Sequence, residues 1–487
     1  MKKICIILSL LLLLAGCSNP KKAQNNPKLI SFDVYAINDL HGKIADTAFQ
    51  PGVDELSTYL KNAQEAGNTI ILATGDMWQG ASESNLTGGL IVTDWMNKLN
   101  FTAMTMGGHE YDWGEEQIRE NKKIANFPFL AINIYSRKTN ERVDYCQSSV
   151  MVEIKGAKIG IIGAIGDCYY SIASENTKDV YFKTGDELTA LVKAESQNLR
   201  EAGADFIIYT LHDGYDQSSS DSNAIPVNDE IKGYYNPILS DGYVDLVFEA
   251  DSHYTYKLED SHGVYHLQAG GNNSGISHAS VLIDKTKDEI YVFTAETVPS
   301  SKYIHLNDDL VVDELLEKYE DQIAPSTRIL GNNAYYRGSE KICQLVADLY
   351  AAKGVEKWGK QYDIVLGGGY ISCRSPMYLP AGEVSYSQLM SLLPFDNQIT
   401  LCSIKGKDLI SRLLKTDNQA YYIKTTAYGE SACDNIDPDA IYYVVTDTYS
   451  ANYSYNNMTI ADNITLQVNV GGTLTIGGIL GAAGGIL

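Results

Sequence analysis

The sequence predicts an α/β fold from Leu29 to about Ser300, on three observations. Apolar runs rich in β-branched residues recur along this stretch, helical patterns separate several of them, and clusters holding Asp, four of them with His as well, follow five of the runs. The runs read, in order, LISFDVYAI, NTIILATG, FTAMTMG, FPFLAIN, KIGIIGAIG, ADFIIYTL and VDLVFEA. Between them, DELSTYLKNAQEAG and DELTALVKAESQNLREAG carry apolar residues at helical spacing. Ligands of such sheets bind at the carboxyl ends of the strands, so the residues just past each run matter most. These are NDLHG, GDMWQG, GGHEYDWG, HDGYD and DSHYTY, which supply Asp39, His41, Asp76, His109, Asp112, His212, Asp251 and His253.

A single His after a strand is ordinarily a hydrogen-bonded loop residue, and a single Asp there is ordinarily a turn former or helix N-cap. Five such clusters on what would be one edge of one sheet point instead to a shared site. Mixed Asp and His donors suit a borderline or hard divalent ion such as Zn²⁺ or Mn²⁺, whose accessible chemistry is hydrolysis. One carboxylate can bridge two ions ~3.5–4 Å apart, the arrangement that clamps both oxygens of a phosphoryl transfer.

The 487-residue chain opens MKKICIILSLLLLLAGCSNP, two lysines before an apolar run that ends in Leu14-Ala15-Gly16-Cys17. This pattern predicts a lipoprotein signal over residues 1–16, a lipid on Cys17 and a polar tether over 17–28, placing the protein outside the cytoplasm on a membrane surface. The formal charge of −23 argues against binding a nucleic-acid polymer, whose phosphates are drawn by basic surface. Beyond Cys5 and Cys17 lie Cys146, Cys168, Cys343, Cys373, Cys402 and Cys433, whose spacing shows no CxxC clip and predicts scattered core thiols or one isolated bridge.

The linked order D-x-H, G-D, G-H-E-x-D, H and x-x-x-H resembles the calcineurin-like metallophosphoesterases, and the wider pattern resembles the exported 5′-nucleotidase and UDP-sugar hydrolase family. GDMWQGASESNLTGG and YHLQAGGNNSGISHASVLID carry much of that likeness. The resemblance implies a four-layer metallophosphoesterase sandwich over 29–305, an interdomain helix over 306–329 and a C-terminal α/β substrate-binding domain over 330–468, α+β overall. It implies one ion on Asp39, His41 and His253, with Asp76 bridging to a second ion also held by His212. His109 and Asp112 match the family's dyad, in which the His stabilises the reacting phosphate or protonates the leaving oxygen and the Asp fixes its tautomer.

Two positions depart from the pattern. The family has a ligating Asn where Gly108 stands, and its first His of G-H-x-H falls at Asp251. A carboxylate in place of imidazole moves preference toward Mn²⁺, Mg²⁺ or Ca²⁺. Three readings follow: a two-ion enzyme with water at the Gly108 gap, a slower one-ion enzyme, or a surface lipoprotein that binds nucleotides without hydrolysing them.

In the second half, DIVLGGGYISCRSPMYLPAGEVSYSQLMSLLPFDNQITLCSIKGKDL resembles the family's nucleotide-binding block. Taken alone, the glycine triplet reads as a tight turn and Phe395 as core. The resemblance implies that Arg374 contacts phosphate, that Phe395 stacks on the base with Tyr449 as the second ring, and that Asn397 bonds the ribose; Arg337 resembles a further substrate arginine. The partner expected is therefore a small nucleotide or related phosphoester, cyclic nucleotides included. The Gly-rich tail 469–487 is assigned no function.

Overall fold

The computed structural model describes residues 29–46, 51–168, 172, 176–214, 243–260, 262–368, 378–395, 398–410, 423–425, 436–447, 451, 459–464, 467–468 and 472–473. The signal, Cys17 and the tether lie outside them, as do Arg374, Asn397, Tyr449 and nearly all of the tail. The chain divides into two units: Met1–Gln79 with Thr87–Tyr319, and Gly80–Leu86 with Glu320–Leu487.

The first unit is built on two six-stranded sheets. One runs, in spatial order, Glu289–Pro299, Gly275–Asp284, Leu29–Ile37, Thr69–Ala73, Ala103–Thr105 and Phe129–Leu130. The other runs Thr255–Glu259, Tyr265–Ala269, Leu246–Glu249, Phe206–His212, Ala157–Ile165 and Ser149–Ile154. In each, the central strands that carry site residues at their carboxyl ends are parallel, so register alone brings their ends to one side. Parallel strands are covered on both faces, and Thr69–Ala73 and Phe206–His212 are accordingly buried almost throughout. The site-bearing clusters thus belong to two sheets, whereas the periodicity pointed to one. Period-2 alternation says that a strand has a buried face but not which sheet it joins.

The sheets meet through one continuous core containing Phe32, Val34, Ile159, Phe206, Ile208 and Phe248. Phe32 and Phe206 meet edge-on at 5.8 Å between ring centroids. Truncating such a ring to alanine costs about 3–5 kcal/mol. On the outer face of the second sheet, Leu188, Val192 and Leu199 of the helix Gly185–Glu201 pack against Ile162, Ile207, Tyr209 and Val247. Over the first sheet, Tyr59 of the helix Asp54–Ala66 meets Tyr35 of the strand Leu29–Ile37, and Ser57 accepts the indole N–H of buried Trp95 at 2.8 Å. Helix, sheet, sheet and helix make the expected four-layer sandwich.

Within 306–329 the chain forms the helix Leu310–Lys318, which counts with the first unit, and the short helix Glu320–Ile323, which counts with the second. Asp309 caps the former by accepting the Val311 N–H. The second unit has a five-stranded sheet in the order Ile423–Thr425, Ile364–Gly368, Ile441–Asp447, Ile399–Lys405 and Thr459–Ile464, with the helix Ser339–Trp358 packed on it through Val346, Leu349 and Tyr350. A capping box between Ser385 and Gln388 starts the helix Tyr386–Leu392. Among the described residues, Cys146, Cys168, Cys343 and Cys402 are buried and none is in a disulfide.

Candidate metal centre

All eight residues singled out at the strand ends lie in the first unit, and six of them converge. Asp39, His41 and His253 place donor atoms within 4.8 Å of one another, and Asp39, Asp76 and His212 do the same. Asp39, His41, Asp76, Asp251 and His253 all hold left-handed backbone, with φ between 49° and 66°. Non-glycine residues adopt this conformation at a cost of about 1–3 kcal/mol each, and so many in one place mark a site held in shape by its surroundings. The surroundings are backbone bonds that lace the loops together: Asp39 N–H to Gly75 O at 3.0 Å, His41 N–H to Asp76 O at 3.0 Å, and Asn272 N–H to Asp39 O at 2.7 Å.

The imidazoles are presented in one sense. His212 donates Nδ1–H to Thr74 O at 2.7 Å, and His41 donates Nδ1–H to Gln79 O at 3.0 Å. Each bond leaves Nε2 as the atom directed inward, as a metal ligand requires. Nε2 of His41 stands 3.0 Å from Nε2 of His253, and two lone pairs brought that close are at rest only with a proton or cation between them. His212 Nε2 is wholly buried, has no hydrogen-bond partner among the described residues, and faces Asp76 Oδ1 at 3.2 Å and Asp251 Oδ1 at 4.0 Å. An orphaned buried nitrogen among carboxylates fits a divalent ion.

The charges oppose burial. Burial disfavours the Asp76 carboxylate, yet His212, His109 and His41 outweigh it and hold its carboxyl well below the usual range. His212 is correspondingly held well above its ordinary value: burial lowers it, and Asp76, then Asp39 and Asp251, overcome that. Asp251 is pushed up to about 6, by loss of solvation and by Asp76 and Asp39.

Beside these donors, His109 Nδ1 stands 2.8 Å from Asp112 Oδ2, and its Nε2 lies 3.9 Å from Asp76 Oδ2 with the side chain 28% exposed. The His109 N–H also donates to Asp76 Oδ1 at 2.8 Å, so the dyad is fixed to the donor cluster at both ends. Gly108 adopts helical backbone, φ −66° and ψ −47°, with no side chain to offer.

Two residues of this centre escaped the sequence reading. Glu110, fully buried, accepts the N–H groups of Gly107 at 2.7 Å, Met77 at 2.8 Å and Asp76 at 2.9 Å, clamping two loops onto each other. Burial first, and then Asp76, pushes its carboxyl up to about 7. Cys168, read as a core thiol, joins His212 and Asp251 in a third group whose donor atoms lie within 4.8 Å of one another. It follows the strand Ala157–Ile165, so the same strand-end rule that found the other donors would have reached it. The neighbouring Gly107 cannot carry a side chain, since a Cβ would stand 2.4 Å from Asp76 Oδ1 and 2.7 Å from His212 Cε1.

In the second unit, Arg337 is half-buried and engaged by its neighbours: Nε donates to Asn333 Oδ1 at 2.9 Å and Nη1 to the Tyr335 hydroxyl at 3.0 Å. Phe395 is half-buried beyond the helix Tyr386–Leu392.

Residues 322–428 match the family of the 5′-nucleotidase C-terminal domain. Over 460 residues the chain is 22% identical to a 5′-nucleotidase of Vibrio vulnificus, covering 84% of this chain and 80% of that one. The chain is thus similar in sequence to 5′-nucleotidases. It is also 26% identical over 429 residues to the endonuclease YhcR of Bacillus subtilis, covering 80% of this chain but 33% of that longer protein. In three dimensions it resembles the 5′-nucleotidase precursor of Thermus thermophilus, with a TM-score of 0.71 at 17% identity, over 93% of this chain and 96% of that one. That likeness shows a shared fold.

Proposed function

We propose that this 5′-nucleotidase relative is a metal-dependent phosphohydrolase that releases phosphate from nucleotides or related small phosphoesters. The observation that carries the reading is the buried His212 Nε2, without a hydrogen-bond partner among the described residues, with Nδ1–H tied back to Thr74 and Asp76 Oδ1 3.2 Å away inside a ring of inward-facing donors. Asp39, His41 and His253 would hold one divalent ion, and His212 with Asp251 a second, with Asp76 reaching toward both. A bound divalent ion supplies Lewis acidity toward phosphoryl oxygens. The chain's own part is positional and acid–base. Asp112 fixes the His109 ring so that Nε2 faces the cluster, where it holds a proton for the leaving oxygen or donates to a phosphoryl oxygen. Glu110 keeps the two loops that carry Asp76 and His109 at a fixed separation. In the second unit, Arg337 and Arg374 are proposed for phosphate, Phe395 and Tyr449 for the base, and Asn397 for the ribose.

The net charge of −23 favours a small nucleotide over a nucleic-acid polymer, although the Bacillus relative is called an endonuclease. The opening sequence supports export and a lipid on Cys17. Among the described residues no helix is long and apolar enough to cross a membrane. Full-length protein assayed with Mn²⁺, Co²⁺, Zn²⁺ or Ca²⁺ against nucleoside mono-, di- and cyclic phosphates should release phosphate with at least one pair. Silence with every pair, alongside calorimetric binding of a nucleotide, would replace the enzyme by a surface nucleotide-binding lipoprotein, the reading that Gly108 and Asp251 favour.

A further inference from the structure

We infer that Cys168 is a thiolate ligand in the half of the centre held by His212 and Asp251, supplying the donor that Gly108 lacks. The inference rests on the metal-centre reading and deepens it. Cys168 Sγ, His212 Nε2 and an Asp251 oxygen lie within 4.8 Å of one another, close enough for one ion to bind all three after small side-chain movements. Cys168 and His212 are both buried, and the imidazole nitrogen of the set has no hydrogen-bond partner among the described residues, so the pocket already contains an inward-facing nitrogen that an ion can take in exchange for its proton. Cys168 Sγ–H donates to the His212 carbonyl at 3.1 Å, which seats the sulfur beside the strand end that presents His212. The Gly166 N–H donates to the same carbonyl at 2.9 Å, fixing the Cys168 loop against that strand. Sulfur therefore arrives from the end of Ala157–Ile165, where the family pattern places no ligand.

On binding, the Sγ–H proton leaves to solvent, the hydrogen bond to the His212 carbonyl is given up, and a sulfur–metal bond forms, so one proton is released from this residue for each ion bound. The donor set becomes imidazole, carboxylate and thiolate. That set prefers Zn²⁺, Co²⁺ or Cd²⁺ to Mn²⁺, Mg²⁺ or Ca²⁺, because thiolate is a poor ligand for hard ions. The preference for harder ions drawn from Asp251 alone is reversed in this half.

The test is Co²⁺ titration of the full-length chain followed by absorption spectroscopy. The expected result is visible d–d bands together with a near-ultraviolet sulfur-to-cobalt charge-transfer band, and loss of the latter but not the former in Cys168→Ser. Visible bands without charge transfer would overturn the thiolate assignment while leaving the metal centre standing. Absence of any cobalt spectrum would overturn the centre and this assignment together. Should Cys168→Ser fail to fold, X-ray absorption of the wild-type chain loaded with Cd²⁺ decides: a sulfur neighbour is expected, and a shell of nitrogen and oxygen alone contradicts the assignment.

Discussion

The half of the centre built on Asp39, His41 and His253 and the half built on His212 and Asp251 stand at the same rim but differ in how they can be read. In the first, the Asp39, His41 and His253 donor atoms lie within 4.8 Å of one another, and two histidine nitrogens face each other at 3.0 Å. In the second, one expected side chain is missing at Gly108 and another is exchanged at Asp251, yet His212 Nε2, buried and without a hydrogen-bond partner among the described residues, is there. The difference teaches that a ligand lost along the sequence need not leave a gap in space. A residue from another strand end, Cys168, stands within 4.8 Å of the His212 and Asp251 donor atoms.

The comparison breaks most completely at Asp76, the carboxylate that reaches toward both halves. Asp76→Asn should cut metal uptake in both and bring phosphate release to background, measured by dialysis and by phosphate assay on the same samples. Uptake reduced in only one half would show that Asp76 does not join them. Next in size, His109→Asn should lower kcat by about 10²–10⁴-fold while metal content and thermal unfolding stay at wild-type values. Unchanged kcat would remove the dyad from the mechanism.

Glu110→Ala removes the acceptor of three backbone N–H groups and should weaken metal affinity by about 10–100-fold, since it disturbs both loops without removing a donor. Calorimetric titration reads this directly, and wild-type affinity would mean the loops hold without the clamp. Gly108→Asn sharpens the contrast further. The ordinary helical backbone at Gly108 accepts an asparagine, but with Cys168 present the gain should stay under about threefold, and the same change should restore affinity in Cys168→Ser. A large gain in the wild-type background would show that the second half still lacks a donor.

The smallest effect on catalysis is expected from His266, a buried histidine paired with Glu249 at 3.1 Å. Burial lowers its pKa, but Glu249 and Asp260 overcome this and push it up to about 9. A histidine raised on folding adds stability that is complete below its unfolded value near 6.5 and is lost as pH climbs through about 9, at most about 3 kcal/mol. Urea unfolding should therefore weaken between these pH values, and His266→Gln should flatten the slope.

Much of this centre could be read from the chain because strand ends announce themselves: a β-branched run, then Asp or His. That rule located Asp39, His41, Asp76, His109, Asp112, His212, Asp251 and His253 from composition and order alone. It could not divide the strands between two sheets, because the buried face of a strand looks the same in either. The five positive-φ donors were equally hidden, since Asp and His carry no mark of left-handed backbone. Glu110 was passed over because a carboxylate that accepts only backbone N–H groups has no partner visible in sequence, and Cys168 because a thiol after an apolar run reads as core.

The central claim is that donors from two sheets share divalent ions, and anomalous diffraction from crystals of the full-length protein grown with Zn²⁺ tests it most directly. The account predicts anomalous density within about 2.0–2.3 Å of His212 Nε2 and of the His41 and His253 Nε2 atoms. Well-ordered crystals with Zn²⁺ present and no density among Asp39, Asp76, His212 and His253 would contradict it.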